Sequence, residues 1–259
     1  YTSLKSLVDQ KSMQENDFWK IWFNDNKVYF QSFNSIFIYD YKTVKQIKIN
    51  KNILFLLKVR GQFWVQEMQG ELFRLIDDKL TKINDGAFFT GKDVRTILPY
   101  KKDQYLICTA TNGLYIYDGV KISPWNTPIS SALKLNELNC GLLTSRGTYF
   151  FGSILNGIYE VDGNGNILNH FSTATELNNN TVLSLREDKN GNFWAGLDRG
   201  IAYIQYLDNM SYYTDPNGNI GAVYDAFYWK NKLYIGTNQG LFYMPEGKLQ
   251  SVNSLENLR

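Results

Sequence analysis

A small turn residue returns along this chain at nearly even intervals, at Ser35, Gly70, Gly113, Gly157, Gly200 and Gly240, spaced 35, 43, 44, 43 and 40 residues apart. A period of this length, kept through six copies, confines the chain to architectures in which one small unit is stacked on copies of itself. Before each marker lies a strand-like run: VYFQSF (28–33), FWVQEM (63–68), YLICTA (105–110), TYFFGS (148–153), FWAGLD (193–198) and LYIGTN (233–238). After each lies a second: IFIYD (36–40), ELFRL (71–75), LYIYD (114–118), IYEVD (158–162), IAYIQ (201–205) and LFYMP (241–245). These runs are short, rich in aromatic and β-branched residues, and bounded by Gly, Asn and Asp, which is the chemistry of strands and tight turns.

Two further runs complete each unit. One precedes the pair (KIWF at 20–23, ILFLL at 53–57, TILPY at 96–100, CGLLT at 140–144, VLSLR at 182–186, VYDAFYW at 223–229). A weaker, more polar one follows (KQIKI at 45–49, LTKI at 80–83, ISPW at 122–125, ILNHF at 167–171, MSYY at 210–213, LQSV at 249–252). Asn-Gly turns such as DGNGN (162–166), DKNGN (188–192) and DPNGN (215–219) join them. Four short antiparallel strands per unit of about 40 residues predict an all-β chain of β-propeller blades. The blades are expected at about 16–50, 52–85, 94–127, 135–172, 180–215 and 221–254, with 1–7 as the outer strand of a preceding blade and no helical segment. Six full blades and a partial one fit a single propeller, or an excised part of one, either within a seven-bladed ring or as a closed ring of six. The first two strands of each blade are expected innermost and apolar, and the fourth at the rim, where Lys42, Lys45, Lys48 and Lys51 form a solvated edge that blocks edge-to-edge pairing.

The segment NNNTVLSLREDKNGNFWAGLDRGIAYI (178–204) resembles the two-component regulator propeller repeat, through Asn180, Val182, Leu185, Asp188, Gly191, Asn192, Trp194, Gly196, Gly200 and Tyr203. Residues 223–244 are similar through Tyr234, Gly236, Thr237, Gly240, Leu241 and Tyr243, and so is TATNGLYIYDG (109–119). Units one and two depart from the pattern, with Ser35 for Gly and Gln31 or Glu67 near the Gly-Thr position. The resemblance implies a periplasmic, extracytoplasmic sensor domain of an inner-membrane regulator. In such receptors it is joined to a second propeller and a triple-tyrosine module, is homodimeric in the intact protein, and drives a kinase or a helix-turn-helix output. The stretch at 16–40 is similar to the helix-turn-helix branch. Regulation of transcription in response to polysaccharide breakdown products is the setting it implies.

The chain is poor in the groups catalysis requires. Its only histidine, His170, falls in an outer-strand run, and no His or Cys cluster has metal-ligand spacing. The Asp-x-Asn-Gly-Asn turns lack the distal carboxylate of a calcium loop, and Gly61, Gly119 and Gly163 sit in turns with no helix after them to cradle a phosphate. No enzyme activity, cofactor or metal is therefore expected, a propeller lyase or hydrolase being the third reading. The formal charge of +2 gives no basic field for nucleic acid, and no run approaches the length of a membrane span. Cys108 and Cys140 lie in apolar runs and read as two buried thiols. The chain starts at Tyr1 without a leader, so any targeting signal is expected to be removed or to lie outside it.

Binding is better supported. Loops between blades and loops between second and third strands share one propeller face. On it the repeat places Trp19, Arg95, Asn139, Asn180 and Tyr224 at the entry to the innermost strands, and Asn34, Gln69, Asn112, Asn156, Arg199 and Gln239 between second and third strands. Amides, rings and guanidinium groups suit an oligosaccharide, and the arginines an acidic one. Against that stands the tolerance of Asn and Gln for left-handed turns, and the alternative of a structural or dimerisation propeller.

Overall fold

The computed structural model describes residues 4–8, 17–175, 177–206, 220–230, 232–244 and 250–252. Six antiparallel sheets follow one another, spanning 20–48, 53–82, 94–124, 138–171, 182–204 and 223–251. In each, sequence neighbours are hydrogen-bonded neighbours, so every sheet is a simple meander. Five have four strands; the fifth shows three, Val182–Glu187, Phe193–Leu197 and Ile201–Ile204, and the fourth run expected at 210–213 lies outside the described residues, as does the 215–219 turn. This is the blade repeat of a β-propeller. The chain divides into two compact units, 1–207 and 208–259.

In the first unit the leading strands of sheets one to five lie side by side in chain order. Each gap between sheets carries its own core. Ile36, Ile38, Leu56, Phe63 and Val65 fill the first, Trp64, Val94, Ile97 and Ile107 the second, Leu98, Leu106, Cys108 and Phe151 the third, and Phe150, Val182, Phe193 and Ala195 the fourth. Successive residues of one strand point to opposite faces, so Phe63 and Val65 enter one core while Trp64 enters the next. Both faces are covered, which explains why second strands read as unbroken apolar runs. They are the most buried strands, and the leading strands are only partly buried. Both were expected to be innermost and apolar, and of the two the second is the more buried. A leading strand has a partner along one edge alone, whereas the second strand has partners on both. The fourth strands are largely exposed, and at this rim Lys45 pairs with Asp78 at 2.6 Å; Lys51, expected on the same edge, lies in the connector to sheet two and pairs with Glu67 at 3.2 Å.

Two further expectations are corrected. Lys5–Leu7 is a 3-10 turn, not an outer strand. A helix, α1 (Pro128–Asn136), occupies the connector between sheets three and four. Thr127 caps it by accepting from Ser130 N, Pro128 opens its first turn, and Ile129 and Leu133, one turn apart, drop into the third core. Two apolar residues at that spacing are too short a pattern to stand out from a loop. In the second unit, sheet six has strands Val223–Trp229, Lys232–Thr237, Gly240–Met244 and Gln250–Ser251, with Tyr234 and Ile235 buried.

Asx-type bonds close the turns. Asp118 accepts from Lys121 N and Val120 N, Asp40 from Thr43 N and Lys42 N, and these bonds hold both carboxyls below their usual range. Asp162 is lowered by the Asn166 side-chain amide first and the Asn166 backbone N–H next. Among the described residues, the carboxylates of the Asn-Gly turns, Asp162 and Asp188, are engaged by their own loops.

Candidate functional site

Antiparallel order puts the second-to-third-strand loops and the connectors between sheets at one end of each sheet. Their shared bonding shows it: Ile49 N donates to Asn34 O and Met68 N to Asn52 O. A hydroxyl or a buried amide organises this end in most sheets. Thr109 Oγ1 donates to Gly113 O at 2.6 Å and accepts from Asn112 N; Ser153 does the same with Gly157 O and Asn156 N, and Thr237 with Gly240 O and Gln239 N. The Thr or Ser four residues before the marker glycine, or three before it in sheet six, therefore locks the loop that carries the candidate amide.

One position earlier the sheets differ. Gln31 and Gln66, almost fully buried, reach across to the next sheet: Gln31 accepts from Leu56 N at 2.7 Å, and Gln66 accepts from Val94 N at 2.7 Å while donating to Lys92 O at 2.6 Å. Sheets four and five carry Gly152 and Gly196 there, and at Gly152 an added Cβ would lie 2.6 Å from Val182 Cγ1 and 2.7 Å from Cys140 Sγ. A long amide fills a wide gap in the first case; in the second the next strand moves in. The departure from the repeat at Gln31 is thus a structural substitution of one inter-sheet device for another.

Within the first unit, Arg95, expected at this end, sits at the start of the leading strand of sheet three. Its guanidinium is 5.6 Å above the Phe55 ring, and the Lys20 ammonium is 5.5 Å from the same ring. Asp93 and Glu137 each approach Arg95 at 3.8 Å, and its Nε is buried with no acceptor among the described residues. Two cations, two carboxylates and a ring from sheets one to four therefore meet where the leading strands begin. Lys20 and Phe55 carried no sequence signal beyond their place in those strands. Cys140 lies in the same region: burial pushes its thiol up to about 12, with the Lys20 charge and the Gly152 backbone N–H acting the other way. Burial alone also raises Cys108 well above the usual thiol range; both thiols are free.

The remaining expected residues divide. Asn139 donates to Val182 O at 2.9 Å, Asn180 accepts from Thr173 N at 2.8 Å, and Asn156 donates to Tyr159 OH at 2.6 Å while its carbonyl meets His170 Nε2 at 2.7 Å. These three amides hold sheets and loops together. Gln69 is exposed in a left-handed turn conformation at φ 55°, and Asn34 accepts from Ser35 Oγ. Trp19 is 54% exposed with its ring 5.0 Å from Phe33, so it is not inter-sheet core. Asn112 is exposed and engaged through its backbone, whereas Arg199 is exposed. In the second unit, Tyr224 is 76% exposed and Gln239 is exposed. His170 stacks on Tyr159 at 4.3 Å, a structural placement. Trp194 is half-exposed against Tyr203 at 4.5 Å.

Residues 176–199 match the two component regulator propeller family. No curated protein matches the sequence. Among solved structures the fold is similar to the extracellular domains of the putative hybrid two component systems BT3049 and BT4673 from B. thetaiotaomicron, with TM-scores of 0.64 and 0.58 and identities of 16% and 17%. Those alignments cover 95% and 92% of this chain and 35% of each of the other two, so the chain spans about a third of their length. Virginiamycin B lyase from Staphylococcus aureus is similar in fold at TM-score 0.57 and 14% identity, over 93% of this chain and 86% of that one. The chain is a β-propeller protein. The stretch at 176–199 carries the repeat of the two component regulator propellers.

Proposed function

We infer that the chain is a ligand-sensing, extracytoplasmic propeller module of a bacterial signal-transduction regulator, responding to an oligosaccharide. The observation that carries this reading is the two component regulator propeller repeat at 176–199, in a chain whose fold resembles extracellular domains of such systems. The mixed charge and ring cluster of Arg95, Lys20, Phe55, Asp93 and Glu137 supplies hydroxyl-binding groups and a stacking surface. Among the described residues no helix is long and apolar enough to cross a membrane, which fits a domain placed outside the bilayer. Signalling requires the ligand to bind two receptor arrangements unequally, since equal affinity shifts nothing. The likeness to a lyase is one of fold and brings no catalytic group with it.

A second reading, a propeller that only scaffolds partner domains or a homodimer, is favoured by the structural engagement of Asn139, Asn156 and Asn180. Calorimetric titration of the intact receptor ectodomain with plant and host oligosaccharide pools separates the two. Saturable heat supports sensing, and silence across the panel supports the scaffold.

A further inference from the structure

Three buried side-chain N–H groups have no acceptor among the described residues: Trp64 Nε1, Arg74 Nε and Arg95 Nε. Two of them belong to one cross-strand pair, Trp64 opposite Arg74, and both side chains line a cavity of about 340 Å3 between sheets two and three. Trp64 is fully buried, and the Arg74 guanidinium lies 5.7 Å over its ring. No carboxylate among the described residues lies within ion-pair distance of Arg74. Several other polar groups of the wall are already engaged. Tyr105 OH donates to Gln62 Oε1 at 2.9 Å, Tyr117 OH to Gly119 O at 2.8 Å, and Lys82 pairs with Glu71 at 3.1 Å. Asp103 also lines the cavity but lies beyond ion-pair distance of Arg74, so what the Arg74 guanidinium lacks is a carboxylate partner of its own.

We propose that this cavity binds a small monocarboxylate of monosaccharide size or less, its carboxylate on Arg74 and its ring against Tyr105 and Tyr117. Buried N–H groups in native proteins are nearly always paired, and a carboxylate is the ligand an arginine fork holds best. The volume suits a single ring. A carboxylate meets the terminal guanidinium nitrogens first; a rotamer change of Arg74 then opens the two shielded N–H groups to it. A neutral sugar supplies acceptors but leaves the guanidinium charge uncompensated, so it binds far more weakly. Binding here does not depend on the Arg95 end being a sensor site, and the two are measured separately.

Nitrogen-15 NMR of the chain reads the site through the Trp64 indole N–H, assigned with Trp64→Phe. Sodium glucuronate and sodium benzoate are titrated, with glucose as the neutral control. At least one acid is expected to shift the Trp64 indole resonance saturably with a dissociation constant of about 1 mM or tighter, and which acid does so distinguishes a sugar acid from an aromatic one. Arg74→Met weakens that binding by about tenfold or more. If Arg74→Met does not fold, Arg74→Lys, which keeps the charge and loses the fork, must still weaken it. No shift with either acid up to about 50 mM, an equal response to glucose, or unchanged affinity in the arginine variants overturns the assignment.

Discussion

Gln66 shows how one side chain joins two sheets. Its amide accepts from the buried Val94 N–H and donates to Lys92 O, so Gln66→Met would leave a buried donor unpaired while nearly conserving volume. An orphaned buried N–H costs about 1–3 kcal/mol. Urea unfolding of the variant is expected to show a loss of that size, and a change below about 0.5 kcal/mol would mean the amide is dispensable. In the sequence Gln31 was visible only as a break in a repeat, and Gln66 carried no signal of its own. A pattern of turn and strand residues reports period and face, but it does not report how far away the next sheet lies. For the same reason Arg95 was legible as an entry residue, while its convergence with Lys20 and Phe55 required the sheets to be placed. Three candidate amides, Asn139, Asn156 and Asn180, turned out to be framework because a hydrogen-bond partner in another loop leaves no trace in spacing.

Strands were the most legible elements, because runs that serve two cores are continuously apolar and the intervening Gly, Asn and Asp are chemically distinct. The runs ILNHF and VYDAFYW coincide with strands Ile167–Phe171 and Val223–Trp229. Helix α1 escaped because its amphipathic pattern is a single turn-spaced pair. The packing of element on element makes a sharp prediction at Gly152, where the second strand of sheet four meets Val182. Gly152→Val is expected to destabilise by about 1–3 kcal/mol through overpacking. Gly163→Ala, with no atom within 4 Å of the added Cβ, is the matched control. Its effect is expected within about 0.5 kcal/mol of neutral or slightly favourable. Thermal unfolding of the pair checks this; equal effects would refute the close approach.

Across the whole molecule the buried acids set the alkaline limit. Burial pushes the Cys140 thiol and the Tyr149 phenol each up to about 12, with neighbouring Tyr100 and Cys108 adding to the Tyr149 shift. Both groups ionise more readily in the unfolded chain, near about 8.5 and 10. Their contribution to stability is therefore complete below those values and is lost as the pH rises through them toward 12. Urea midpoints are expected to fall steadily from pH 8 to pH 11, and less steeply in the Cys140→Ala, Tyr149→Phe variant. A midpoint independent of pH over that range would contradict the burial of both groups.

Ligand binding at the converging end of this propeller is the central expectation. Calorimetry of the intact ectodomain, wild type and Arg95→Ala, against oligosaccharide pools decides it. Saturable heat with at least one pool, weakened by about tenfold or more in Arg95→Ala, is the predicted result. Absence of heat across the panel, or identical titrations for both proteins, would contradict it.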